Sequence, residues 1–143
     1  MSSSFFRRLF NGATAPAPES IESQAERGSA DAQFSLGLKF ANGKGATLDY
    51  AQAASWYLKA AEQNHALAQF NLGVMYANGT SVAQSSIEAL KWLSLAAARS
   101  SGAEQKKYAD AREIVARTMT PDEVAEAQKR AREWTDSRRE RPN

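Results

Sequence analysis

The sequence has no cysteine, which excludes a disulfide framework and every thiolate site. Histidine is nearly as scarce: His65 stands alone among 143 residues. A metal centre would have to rest almost wholly on carboxylates. The serines have no plausible base beside them for nucleophilic catalysis. No EF-hand or phosphate-binding glycine loop is present; Gly43-Lys44-Gly45 is too short for the latter and is explained by a turn. No stretch approaches the roughly 20 apolar residues of a membrane span. Arg7 and Arg8 interrupt the apolar cluster Phe5, Phe6, Leu9 and Phe10. No apolar run of about 7–15 residues follows, so the N-terminus does not read as a signal peptide. No enzyme, metal or cofactor is expected, and the missing thiols fit a reducing compartment such as the cytoplasm.

The net charge of +2 hides an uneven distribution. Residues 1–18 carry Arg7 and Arg8 with no acid, and 129–143 carry Lys129, Arg130, Arg132, Arg138, Arg139 and Arg141 against Glu133, Asp136 and Glu140. The body between them is slightly acidic. Basic ends attract acidic partners, lipid headgroups or nucleic acid, or serve only as solvated tails. Nucleic-acid binding is not expected, because the aromatics belong to a repeated packing pattern and not to a basic stripe.

That pattern is the chief feature of the chain. A shift of 36 residues aligns Ala32-Gln33-Phe34 with Ala68-Gln69-Phe70, Leu36-Gly37 with Leu72-Gly73, and Ala41-Asn42-Gly43 with Ala77-Asn78-Gly79. It also aligns Ala53 with Ala89, Trp56 with Trp92, and Ala60-Ala61 with Ala96-Ala97. Internal repetition at such a period signals a solenoid. The alternation Phe34, Leu36, Leu38, Phe40 would by itself suit a strand. The length of the segment, its mid-run glycine and the repeat context favour helix. Gly37 and Gly73 each cost about 1 kcal/mol against alanine in a helix, so each implies close approach of a neighbouring helix. Asn42-Gly43 and Asn78-Gly79 end the first helix of each unit. Asp49 and Ser85 cap the second, with Gln52 and Glu88 placed to close a capping box. Ala53, Trp56, Tyr57 and Ala60 follow at helical spacing, as do Ala89, Trp92, Leu93 and Ala96. The indoles should anchor contacts within and between units.

Half a unit precedes the array: Ala25-Glu26 aligns with Ala61-Glu62. After it, 103–119 reads as a worn first helix, with Tyr108 and Ala109 where Leu72 and Gly73 stood. Thr120-Pro121-Asp122-Glu123 then starts a last helix, whose apolar stripe is Val124, Ala127, Ala131 and Trp134. The expected fold is all-α: a short α-solenoid of antiparallel helix pairs. Residues 1–18 form a flexible segment ending in a Pro-Ala linker, and 19–135 form the solenoid. Its full repeats are at about 31–66 and 67–102, with a degenerate cap at 103–135. A basic tail occupies 136–143.

Ala-Gln-Phe-x-Leu-Gly, an aromatic, Ala-Asn-Gly, Ala-x-x-Trp and Ala-Ala together resemble the Sel-one-like repeat, a relative of the tetratricopeptide repeat. The resemblance covers roughly residues 21–134. It departs from the usual Gly-x-Gly-Val loop at Gly79-Thr80-Ser81-Val82 and at Gly43-Lys44-Gly45-Ala46. It implies a right-handed superhelix and a role in assembling protein complexes, with a closing helix common in bacterial members.

A partner protein or peptide would lie on the concave face of the first helices. By analogy with tetratricopeptide arrays, the groove positions are Phe34, Leu38 and Ala41, then Phe70, Val74 and Ala77, with Lys39 and Asn71 as more exposed secondary candidates. The competing reading is that these side chains are packing residues. The function expected is a non-catalytic adaptor or scaffold. The alternative is a peripheral membrane or targeting module using Phe5, Phe6, Arg7, Arg8, Leu9 and Phe10 as a foot or docking peptide, although an anchor so short is marginal. His65, in the turn between units, is expected to cap a helix or face solvent.

Overall fold

A computed structural model describes residues 16–139. The segment Phe5–Phe10 lies outside the described residues. Seven helices follow in order: α1 (Ile21–Glu26), α2 (Ala30–Asn42), α3 (Tyr50–Glu62), α4 (Ala66–Asn78), α5 (Ser86–Ala98), α6 (Gly102–Ala116) and α7 (Pro121–Arg139). No strand occurs among the described residues. The pairs α2–α3 and α4–α5 are the two full units, and each first helix also packs on the second helix of the unit before it.

Local chemistry accounts for the boundaries. Ser20, Ser29, Asp49, His65 and Ser85 each accept a backbone N–H from three residues on, which satisfies one of the orphan donors at a helix start. Gly43 and Gly79 end α2 and α4 with φ of 65° and 69°, a left-handed conformation that glycine adopts without penalty. The capping boxes close only half-way. Gln52 and Glu88 donate their backbone N–H groups to Asp49 and Ser85, but the cap N–H groups donate to Phe40 O and Tyr76 O of the preceding helix, at 2.9 and 3.0 Å. The loop folds back onto its own first helix, so the return bond from residue 52 or 88 is not needed. Glu88 is thereby free to bind Arg130 of α7 at 2.8 Å.

Within a unit, the glycines permit close packing. A Cβ on Gly37 would stand 2.6 Å from the Tyr57 ring, and one on Gly73 would stand 2.9 Å from Leu93 Cγ. Between units, the repeated glutamine does the joining. Gln33 and Gln69 are buried, and their side-chain amides donate to Ala25 O and Ala61 O, both at 3.1 Å. A buried amide without a partner would cost about 1–3 kcal/mol, so this bond fixes the register of one unit on the next. Gln63 completes the first junction by donating to Gln33 Oε1 at 2.9 Å and to Gly28 O at 2.8 Å. Its counterpart at the second junction is Arg99, which is exposed, and Gln69 Oε1 is buried there with no hydrogen-bond partner among the described residues.

The alanine-rich core runs through both units, from Ala53, Tyr57 and Ala60 to Leu72, Met75 and Trp92. The two indoles divide their work. Trp56 packs on the junction with α1, and Trp92 meets Trp134 of α7 edge to face at 5.9 Å. The last two helices depart from the repeat. Tyr108 is buried in place of Leu72, but α6 and α7, though consecutive, make almost no contact; α7 packs across α5 instead. Its helix also continues past residue 135 to Arg139, so Arg138 and Arg139, expected in a basic tail, are helical. The Arg138 guanidinium sits 4.3 Å from the Trp134 ring centre.

Candidate functional site

Helix α4 shares one hollow with Ala41 of α2 and another with α6, and it carries no charged residue. Phe70 and Asn71, with Val74 one turn further along α4, line a hollow of about 190 Å³ together with Ala41, Tyr50 and Tyr57. Phe70 also borders a second, more open hollow of about 470 Å³, formed with Lys106, Lys107 and Ile114 of α6. Its ring stacks on Tyr108 with centroids 4.7 Å apart, and the Lys107 ammonium lies 4.9 Å from its centre. Phe70 is therefore half packing residue and half surface.

The matching positions on α2 serve differently. Phe34 stacks on His65 at 4.7 Å and leans on Tyr57 at 5.7 Å. Leu38 packs against the central core. Neither borders the smaller hollow. Lys39 and Asn71 are half-buried rather than freely exposed. Lys39 bonds Glu22 at 2.6 Å, and that bond holds the Glu22 carboxyl below its ordinary value. Asn71 bonds the Tyr57 phenol, partly offsetting the burial that pushes this phenol up. Ala77, half-buried, offers its carbonyl to Gln84 at 3.1 Å.

Two contributors escaped the sequence pattern. Tyr50 is the first residue of α3, and the spacing shows it only as the neighbour of a cap. Ile114 is 64% exposed; a large apolar residue on the charged side of a worn helix was the available signal. The Tyr108 phenol beneath Phe70 is pushed up to about 12 by burial and by its hydrogen bond to Glu104.

His65 is a structural residue. Nδ1 accepts the Ala68 N–H at 3.2 Å, and Nε2 stands 3.1 Å from Asp31 Oδ1. The ring thus caps α4 with one nitrogen and ties it to α2 with the other. No group of His, Asp or Glu side chains suited to a metal ion occurs among the described residues. None of the described helices is long and apolar enough to cross a membrane.

The Sel1 repeat model matches residues 30–65 and 66–101, which together make up half of the chain. These spans begin one residue before the repeats marked by the 36-residue alignment. No curated protein sequence matches. Among solved structures, a protective antigen of uropathogenic Escherichia coli strains with an SLR fold superposes with a TM-score of 0.75 at 29% identity; the match covers 81% of this chain and 24% of that one. A Sel1 repeat protein from Oxalobacter formigenes superposes with a TM-score of 0.58 at 33% identity, covering 63% and 26% respectively. The chain thus spans about a quarter of the length of these relatives. The paired helices, the glycine contacts and the glutamine junctions are the geometry that underlies the match, and the chain belongs to the Sel1 repeat family.

Proposed function

We propose that this chain is a cytoplasmic, non-catalytic adaptor that holds a partner protein through the face formed by α2, α4 and α6. The observation that carries the reading is the hollow beside Phe70, Asn71 and Val74. Its 190 Å³ is below the roughly 300–1,000 Å³ of small-molecule pockets and suits one large apolar side chain of a bound peptide. The Asn71 amide stands at its wall, where a peptide backbone group would find a polar neighbour. The repeat family supports the same reading, since its helical arrays serve to assemble protein complexes.

Val74 gives the cleanest test, because it is half-buried and lies on the wall of the hollow. Val74→Glu should cut capture of crosslinked partners at least tenfold, read by quantitative mass spectrometry, while the far-UV circular dichroism stays unchanged. Undiminished capture by a folded Val74→Glu chain would refute the proposal. Phe70→Ala is less informative, because it also removes the stack on Tyr108.

A further inference from the structure

A second cavity lies away from the hollow beside Phe70, and it arises from the irregularity at the end of the array. Because α6 and α7 both pack on α5 but scarcely on each other, a cleft of about 590 Å³ opens between them. Leu90 and Ser94 of α5 form its floor, with Ala109 and Ala116 on one wall and Val124 and Ala131 on the other. Ser94 also floors two adjoining hollows, of about 310 and 320 Å³, so the cleft continues along α5 as a groove.

The repeat itself indicates what shape this groove receives. Each complete first helix presents a glycine face to a second helix: Gly37 to Tyr57 and Gly73 to Leu93. Ala109 is the same position on α6, and it lines the cleft. The helix-receiving face of α6 is therefore uncovered, since α7 has swung onto α5. Ser94, Ala109, Ala116 and Ala131 keep much of the lining low, which favours close approach of another helix.

The electrostatics indicate the charge. Arg112 of α6 and Arg132 of α7 line the cleft from opposite sides, both are exposed, and neither forms an ion pair among the described residues. The two acids that line the 590 Å³ cleft itself are already engaged: Asp110 bonds Lys106 at 2.9 Å and Glu113 bonds Arg117 at 2.8 Å. The cleft thus offers two unneutralised guanidinium groups, which favour planar carboxylates. The chain's own N-terminal cluster, with Arg7 and Arg8, has the wrong sign.

We propose that this cleft docks an amphipathic helix of a partner protein, with a small-residue or leucine stripe facing α5 and acidic side chains flanking it, so that the partner supplies the missing second helix of the third unit. The test uses the full chain and a fluorescein-labelled helical peptide of about 16 residues, long enough to hold helix in water, with an Ala/Leu stripe flanked by glutamates. A second peptide replaces each glutamate by lysine. Fluorescence anisotropy should show binding of the acidic peptide only, weakened by added salt. An Arg112→Glu, Arg132→Glu double variant should weaken it at least tenfold, and both sites are exposed enough to leave the fold intact. Val74→Glu should leave this binding unchanged, which separates it from the concave-face reading. Equal binding to wild type and double variant, or no binding by the acidic peptide, would overturn the proposal. So would a concentration-dependent dimer in sedimentation that the double variant abolishes, which would make a second copy the occupant. A gain in affinity for both peptides on deleting residues 1–15 would also overturn it, by making the N-terminal segment the occupant.

Discussion

Replacing Gly37 by alanine sets two opposed effects against each other at one atom. Helix propensity favours the change by about 1 kcal/mol. Packing opposes it. The new Cβ would lie 2.6 Å from both Cδ1 and Cε1 of Tyr57 and 3.4 Å from Ala53 O, whereas carbon pairs settle at about 3.5–4.0 Å. Roughly 1 Å must be found, and the Tyr57 ring cannot supply it by a rotamer change, since it is buried and leans on Phe34 at 5.7 Å. Overpacking of this kind costs about 1–3 kcal/mol, and the rigid ring places it at the upper end. Net destabilisation of about 1–2 kcal/mol is expected for Gly37→Ala, from those two terms. At Gly73 the same methyl meets Leu93 Cγ at 2.9 Å, a milder overlap, so Gly73→Ala should cost less. The propensity gain is equal at both positions, and the difference between the variants isolates packing. Urea unfolding followed by circular dichroism measures it as a shift of midpoint at constant slope. Combining Gly37→Ala with Tyr57→Leu should recover part of the loss, as coupled neighbours do. A rise in midpoint for Gly37→Ala, or strict additivity in the double variant, would refute the close-packing account.

Further outcomes follow from the junctions and the ionisable groups. Gln69→Leu should destabilise by about 0.5–1.5 kcal/mol, because it removes the junction bond to Ala61 O, which keeps only the Asn64 N–H; urea midpoints check it, and Gln105→Leu, at the exposed third-unit position, should be silent. Arg99→Gln should stabilise by about 0.5–1.5 kcal/mol by giving Gln69 Oε1 the donor that Gln63 gives Gln33, read as a higher melting temperature. Tyr108, raised from 10 to about 12 in the fold, binds its proton more tightly folded than unfolded, so its stabilisation is complete below pH 10 and drains away towards pH 12; melting temperatures across that window should fall less steeply in Tyr108→Phe.

Much of the fold is written in the spacing of residues, because the forces that set it are local. Caps at Ser29, Asp49 and Ser85 act over three residues, and the left-handed ends at Gly43 and Gly79 act over one. The return half of the capping box was not legible, because the competing acceptors, Phe40 O and Tyr76 O, are set by the way the loop folds back. The groove was legible only in part. Phe34 and Phe70 occupy the same repeat position, yet one is sandwiched by His65 and Tyr57 and the other opens onto two hollows. The difference comes from the neighbouring helix, which no single-unit pattern contains.

The end of the array shows how a broken repeat still carries information. The stripe Val124, Ala127, Ala131 and Trp134 marks which face of α7 is buried, but not against what. Two long-range contacts decide that: Trp134 on Trp92, and Arg130 on Glu88. Both anchor points lie on α5, so α7 is drawn off the α6 face that a regular unit would cover. The alignment records the consequence. Glycine stands at 37 and 73, where a second helix presses within 3 Å of a would-be Cβ, and alanine stands at 109, where α7 leaves a cleft. Where no helix presses, the propensity cost of about 1 kcal/mol for glycine has nothing to offset it, and the methyl of alanine is free to form the wall of a binding surface.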